Sequence, residues 1–156
     1  MVRQSRRDEV RQMILVDSSV WIDYFNGSKT SQTDWLDSSL GSTPIIMGDL
    51  ILTEILQGFQ DDNDFKIASD LLLSVPFEPM GGQVIALESA MNYRFLRRKG
   101  VTVRKTIDVI IGTFCIHHQL TLLHNDRDFD PMVKFLGLEI IDTERTNPPE
   151  ARSSRR

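Results

Sequence analysis

A single cysteine, Cys115, is all the chain has, which rules out an intrachain disulfide and leaves stability to a packed apolar core. One lone thiol also suits a reducing compartment, so the expected location is the cytoplasm. Long hydrophobic runs are absent too. The longest, residues 109–116, is bounded by Asp108 and His117 and falls far short of the roughly 18 residues that a membrane span needs. Behind the basic first residues only Met13–Val16 are apolar before Asp17 intervenes, too few for the core of a secretory signal. An excess of positive charge is the third absence. The formal net charge is −4, whereas a protein that coats nucleic acid nonspecifically needs clustered Lys and Arg. The sequence has no internal repeat and no low-complexity block.

What is present suffices for one domain, since 40% of the 156 residues are hydrophobic. Residues 1–12, MVRQSRRDEVRQ, are polar and precede a second methionine, Met13. They read as a disordered lead, or as an overextended start with Met13 the true first residue. Near the other end Asn147-Pro148-Pro149 stops regular structure and EARSSRR follows, so residues 144–156 read as a disordered tail. In the remaining domain, 13–143, short apolar runs alternate with helical patterns. Ile14-Leu15-Val16 is an expected buried strand, and Ser18 or Ser19 is expected to cap a helix carrying Val20, Trp21, Tyr24 and Phe25, which Asn26-Gly27 ends. Further strands are expected at 44–47, 75–78, 121–123 and 138–141, and helices over 34–40, 49–58, 64–73, 83–99, 106–119 and 128–135. Continuous apolar strands linked by helices imply an α/β fold with a mostly parallel sheet flanked by helices on both faces. Sites in such folds sit at the carboxyl ends of the strands.

Four acids stand out against that frame. Asp17 follows the first strand directly, and Asp126 lies just beyond Thr121-Leu122-Leu123, so both are expected at the carboxyl edge. Glu54 interrupts Leu50-Ile51-Leu52-Thr53-Glu54-Ile55-Leu56, and Asp108 interrupts Thr106-Ile107-Asp108-Val109-Ile110-Ile111. A charge among so many aliphatic neighbours is costly unless it is paired or holds a metal. Each also has a purely structural explanation. Asp17 could cap a helix, Glu54 could face solvent, Asp108 could favour a helix dipole with Thr106 as cap, and Asp126 could close a turn. A shared metal site accounts for all four at once.

The blocks VDSSVWIDYF at 16–25, LTEILQGF at 52–59, TIDVIIGTFCI at 106–116 and LLHNDRDFDPM at 122–132 resemble the acidic blocks of PIN domains, and among them the VapC toxins of toxin–antitoxin pairs. The resemblance runs from about Met13 to Ile141. It implies a PIN-like three-layer fold and a metal-dependent ribonuclease toxin. By that resemblance Asp17, Glu54, Asp108 and Asp126 match the metal-binding acids and Asp128 a frequent fifth. Ser18 and Thr106 fall where the family often has a supporting hydroxyl, and Asn125 is grouped with them. The resemblance further implies a homodimer and a VapB-type antitoxin.

The chemistry explains why acids are needed. Hydrolysing a phosphodiester takes an activated water, an in-line geometry and neutralisation of charge on the phosphoryl oxygens. Mg²⁺, or Mn²⁺ in its place, provides all three and prefers oxygen ligands. Asp17 and Asp108 are the expected principal ligands, Asp126 a further or water-mediated one, and Glu54 a ligand or the group that positions the water. Bound metal would cancel the acids and leave basic residues free to meet RNA phosphates. Arg94, Arg97, Arg98, Lys99, Arg104 and Lys105, just before Asp108, are the candidates, with a solvated helix end as their alternative. His117, His118 and His124 lack zinc spacing and read as solvated, and Cys115 looks buried rather than nucleophilic. Two other function classes remain open at this point. One is a noncatalytic RNA- or protein-binding module. The other is an aspartyl-phosphate phosphohydrolase, which the pair Asp126 and Asp128 superficially matches although it follows a late strand.

Overall fold

Ile14–Val16 form β1, and the three side chains are 1%, 0% and 0% exposed. A strand this buried needs cover on both faces, and the chain provides it with helices after nearly every strand. The structure is a computed structural model that describes residues 13–145. The expected lead at 1–12, with the question of which methionine starts the chain, therefore lies outside the described residues. So does the expected tail, except for Glu144 and Arg145, which belong to a turn.

After β1 come α1 (Ser18–Phe25), α2 (Ser31–Ser39), β2 (Ile45–Gly48), α3 (Asp49–Leu56), α4 (Asp62–Leu72), β3 (Phe77–Glu78), α5 (Gln83–Arg98) and α6 (Thr106–His118). β4 (Thr121–Leu123), a 3₁₀ turn (Arg127–Phe129) and α7 (Asp130–Leu136) complete the order. The sheet runs β3-β2-β1-β4, with every pairing parallel. Ile14 lies beside Ile45 on one side and Thr121 on the other, and Val16 beside Leu123. α1 packs on α2 and α3, and α3 on α4, while α5 packs on α6 and α7. This is the expected α/β architecture. Among the described residues no helix is long and apolar enough to cross a membrane.

The differences from expectation are local. Residues 138–141 do not form a strand but a single parallel bridge, Leu122 to Ile140. The run is short and alternates in burial, with Leu138 buried and Glu139 exposed, so it gains little from extending along the edge. Asp17, not Ser18 or Ser19, is the N-cap of α1. The last expected helix is split, because Pro131 starts a helix but cannot donate a backbone bond within one.

Tight packing places the carboxyl ends of the strands. A side chain at Gly48 would collide with the Met80 thioether, so glycine lets Met80, in the segment before α5, pack directly over the end of β2. Asp49 holds the same closure, its Oδ1 accepting from the Met80 N–H (2.9 Å) and the Leu50 N–H (2.9 Å). This acid follows a strand as Asp17 does, yet both bonds commit it to structure. Asp49→Ala should lower unfolding free energy in urea by about 1–2 kcal/mol, while Asp49→Asn, which keeps the accepting oxygen, should cost less than about 0.5. An equal loss in both variants would show that the charge, not the bonds, is what matters there.

Candidate metal centre

Parallel pairing brings the ends of β1 and β4 side by side, and the Asp17 N–H continues the ladder by donating to the Leu123 carbonyl (2.9 Å). The chain then turns into α1 on one side and into the loop 124–126 on the other. Ser19 joins the two. Its hydroxyl donates to Asp17 Oδ2 (2.6 Å) and accepts from the Asn125 N–H (3.1 Å), while its own N–H donates to the same Asp17 oxygen (3.0 Å). The Asn125 amide reaches on to Asp23 (3.2 Å). Asp126 caps the 3₁₀ turn by accepting from the Asp128 N–H (2.9 Å), and its own N–H donates to His124 Nδ1 (3.2 Å). That bond leaves His124 protonated on Nε2 in its neutral form.

Onto this edge α6 delivers Asp108, 4% exposed. One oxygen each of Asp108, Asp126 and Asp128 lie within 4.8 Å of one another, an arrangement that could hold a cation. Asp17 is 3% exposed and lies outside that tightest group, but its charge is felt at Asp108, at Glu54 and at Cys115. Glu54 comes from α3 and accepts from the Ser18 hydroxyl (3.2 Å). Thr106 is the first residue of α6, and Lys105 rather than Thr106 is its N-cap, with no side-chain cap bond.

Burial and mutual repulsion act on these acids in one direction. Burial, then the charges of Asp17 and Asp126, push Asp108 up from an ordinary 3.8 to about 7. Burial also raises Asp17, against the two bonds from Ser19, and raises Glu54, where the Asp17 charge adds to it. Asp17 Oδ1 and Asp108 Oδ2 are both buried and accept from no described donor. A buried carboxylate oxygen without a donor is expensive, and a hard divalent cation is the partner that oxygen donors of this kind fit.

The basic run separates into three sets. Arg97 lies over the Tyr93 ring and Lys99 over the Phe95 ring of their own helix. Arg94 and Arg98 line a groove against α7. Arg104 instead reaches Asp128 (3.6 Å), and the Lys105 charge bears on Asp108 and Glu54. His117 and His118 are exposed, His117 against Glu88 (3.0 Å). His124 differs from expectation. It packs on Phe129, and burial lowers its pKa, so it is a neutral structural base rather than a solvated one. Burial pushes the Cys115 thiol far up, which removes it as a nucleophile. Ser19 is the supporting residue that sequence reasoning missed. Only its place two residues after a strand-end acid marked it.

Residues 14–134 match the PIN domain family. Two relatives, a VapC ribonuclease of Mycobacterium bovis and ribonuclease VapC11 of Mycobacterium tuberculosis, are each 31% identical over 129 residues, covering 81% of this chain and 96% of the relative. Among solved structures, VapBC2 of Rickettsia felis bound to a promoter DNA fragment superposes with a TM-score of 0.67 at 15% identity, over 83% of this chain and 98% of that one. FitAcB of Neisseria gonorrhoeae gives 0.64 at 15%, over 86% and 100%. At that identity the likeness is one of fold.

The raised carboxylates fix the sign of a pH effect. Asp108 binds its proton more tightly folded than unfolded, so between about pH 4 and about pH 7 the folded chain holds more protons and stability falls as pH rises. In EDTA the melting midpoint should be several degrees higher at about pH 5 than at about pH 8, and Asp108→Asn should flatten most of that difference. A slope unchanged in the variant would show that Asp108 does not carry it.

Proposed function

The chain belongs to the PIN domain family, and on that premise we propose that it is a divalent-metal-dependent ribonuclease, the toxin of a toxin–antitoxin pair. The observation that carries the reading is the pair of buried, donor-less oxygens on Asp17 and Asp108 beside Asp126 and Asp128. Asp17, Asp108, Asp126 and Asp128 would hold the metal, with Mg²⁺ the expected ion and Mn²⁺ its substitute. When bound, the ion supplies an activated water and neutralises charge on the phosphodiester.

This chain's own residues do the rest. Ser19 fixes the Asp17 carboxylate so that one oxygen stays free. Ser18 orients Glu54, which has a raised pKa and sits at the rim of the acids, so it is placed to position a water or hold its proton. Arg104 and Lys105 are exposed on the same side and would meet the substrate's phosphates. The first turn of α6 adds its own partial positive charge there.

The partners follow from the same reading. An RNA substrate, a VapB-type antitoxin and a second copy of the chain are proposed, in the cytoplasm. A protein-covered face is supported by Val84, Leu87, Met91 and Phe95, which form an exposed apolar row along α5 at helical spacing.

Asp17→Asn and Asp108→Asn should each reduce Mn²⁺-dependent cleavage of single-stranded RNA at least about a hundredfold while circular dichroism stays that of the parent. Cleavage retained in both variants would overturn the metal-site assignment.

A further inference from the structure

A second groove lies on the other flank of α6. It has a volume of about 460 Å³ and runs between α5 and α6, lined by Ala86, Ser89, Ala90, Tyr93 and Arg94 on one side and by Thr106, Val109 and Ile110 on the other. Asp108 and the groove-lining Thr106 and Ile110 point to opposite sides of the same first turns of one helix, so the groove and the acids are about a helix thickness apart, ~10 Å. A strand of RNA crossing the α6 N-terminus covers that distance within one or two nucleotides.

The lining suits a base rather than a protein segment. Ala86 and Ala90 are exposed and small, which leaves a slot beside the Tyr93 ring and the Val109 and Ile110 side chains. Polar groups are few and uncommitted. Ser89, 5% exposed, has a hydroxyl that bonds no described residue, and Thr106 brings an exposed hydroxyl to the opposite wall. Arg94 stands at the rim and forms no ion pair with a described residue. Apolar walls, hydroxyls in the lining and an unpaired guanidinium at the rim suit an unpaired base with its phosphate.

We propose that the α5–α6 groove is a specificity subsite that seats one unpaired base of the RNA flanking the cleaved bond, with Arg94 on the adjoining phosphate. It rests on the ribonuclease reading above and adds where the substrate is read. Seating is a ground-state contact, so it acts on KM and on base preference more than on kcat.

The test uses the full chain and a randomised single-stranded RNA library whose cut ends are mapped by sequencing. Ala90→Trp fills the slot from an exposed position. KM for RNA should rise at least about fivefold, since the seated base loses its stacking contact, with kcat falling less than about twofold and the base preference at one flanking position flattened. Ser89→Ala removes only a hydroxyl, and should blur the same position's preference with a smaller KM change. Wild-type KM and preference in both variants would overturn the groove while leaving the ribonuclease reading intact. No metal-dependent cleavage by the unaltered chain would overturn that reading instead. If Ala90→Trp dissociates a dimer in sedimentation and spares KM and preference, the occupant is a protein and the proposal falls.

Discussion

Several carboxylates share one desolvated edge, and the rest of the molecule is arranged around the cost of keeping them there. Each buried ion loses several kcal/mol of hydration, and neighbours of like sign add to it. Asp17 recovers part through two bonds from Ser19, each charge-assisted and worth roughly 1.5–3 kcal/mol. Its second oxygen recovers nothing from the described residues, nor does Asp108 Oδ2. Protonation at Asp108 is one remedy, and burial with the neighbouring charges pushes its pKa up in that direction, to about 7. A divalent cation would be the other remedy, and one ion could serve several of the acids together.

The fold supplies the frame that makes this crowding possible. β1 and β4 are adjacent and parallel, so Asp17 and the loop carrying Asp126 leave the sheet at the same edge. The Ser19–Asn125 bond then ties the two exits together, and His124 braces the backbone at Asp126. Cations come from outside the frame. Arg104 and Lys105 sit on the connection between α5 and α6, where they offset some negative charge and stay exposed enough to move onto phosphate. A salt bridge at 3.6 Å from an Arg that is 83% exposed contributes little to stability.

Much of this was legible in the sequence because it depends on period and position. Ile14-Leu15-Val16 and Thr121-Leu122-Leu123 read as buried strands, and acids just beyond such strands fall on one edge in a parallel sheet. Asp108 was legible as a charge inside an apolar helix. What was not legible depends on contact across the chain. Ser19 looks like one of two serines until Asn125 is brought to it. The basic run between 94 and 105 looks continuous, but helix geometry turns Arg97 and Lys99 onto their own aromatic rings and leaves Arg104 to Asp128. His124 looked solvated because sequence does not reveal that Phe129 folds over it. Asp49 has the same strand-end position as Asp17 and a different fate, decided by an N–H of Met80.

The central claim is that the edge carboxylates are a cation site kept partly protonated until the ion arrives. Calorimetric titration of Mn²⁺ into the full chain, in buffers of different ionisation enthalpy near pH 7, measures the protons displaced per ion bound. The account predicts a substantial fraction of one proton released, shrinking towards zero above about pH 9 and absent in Asp108→Asn. Binding with no proton release at any pH, or no binding at all, would contradict it.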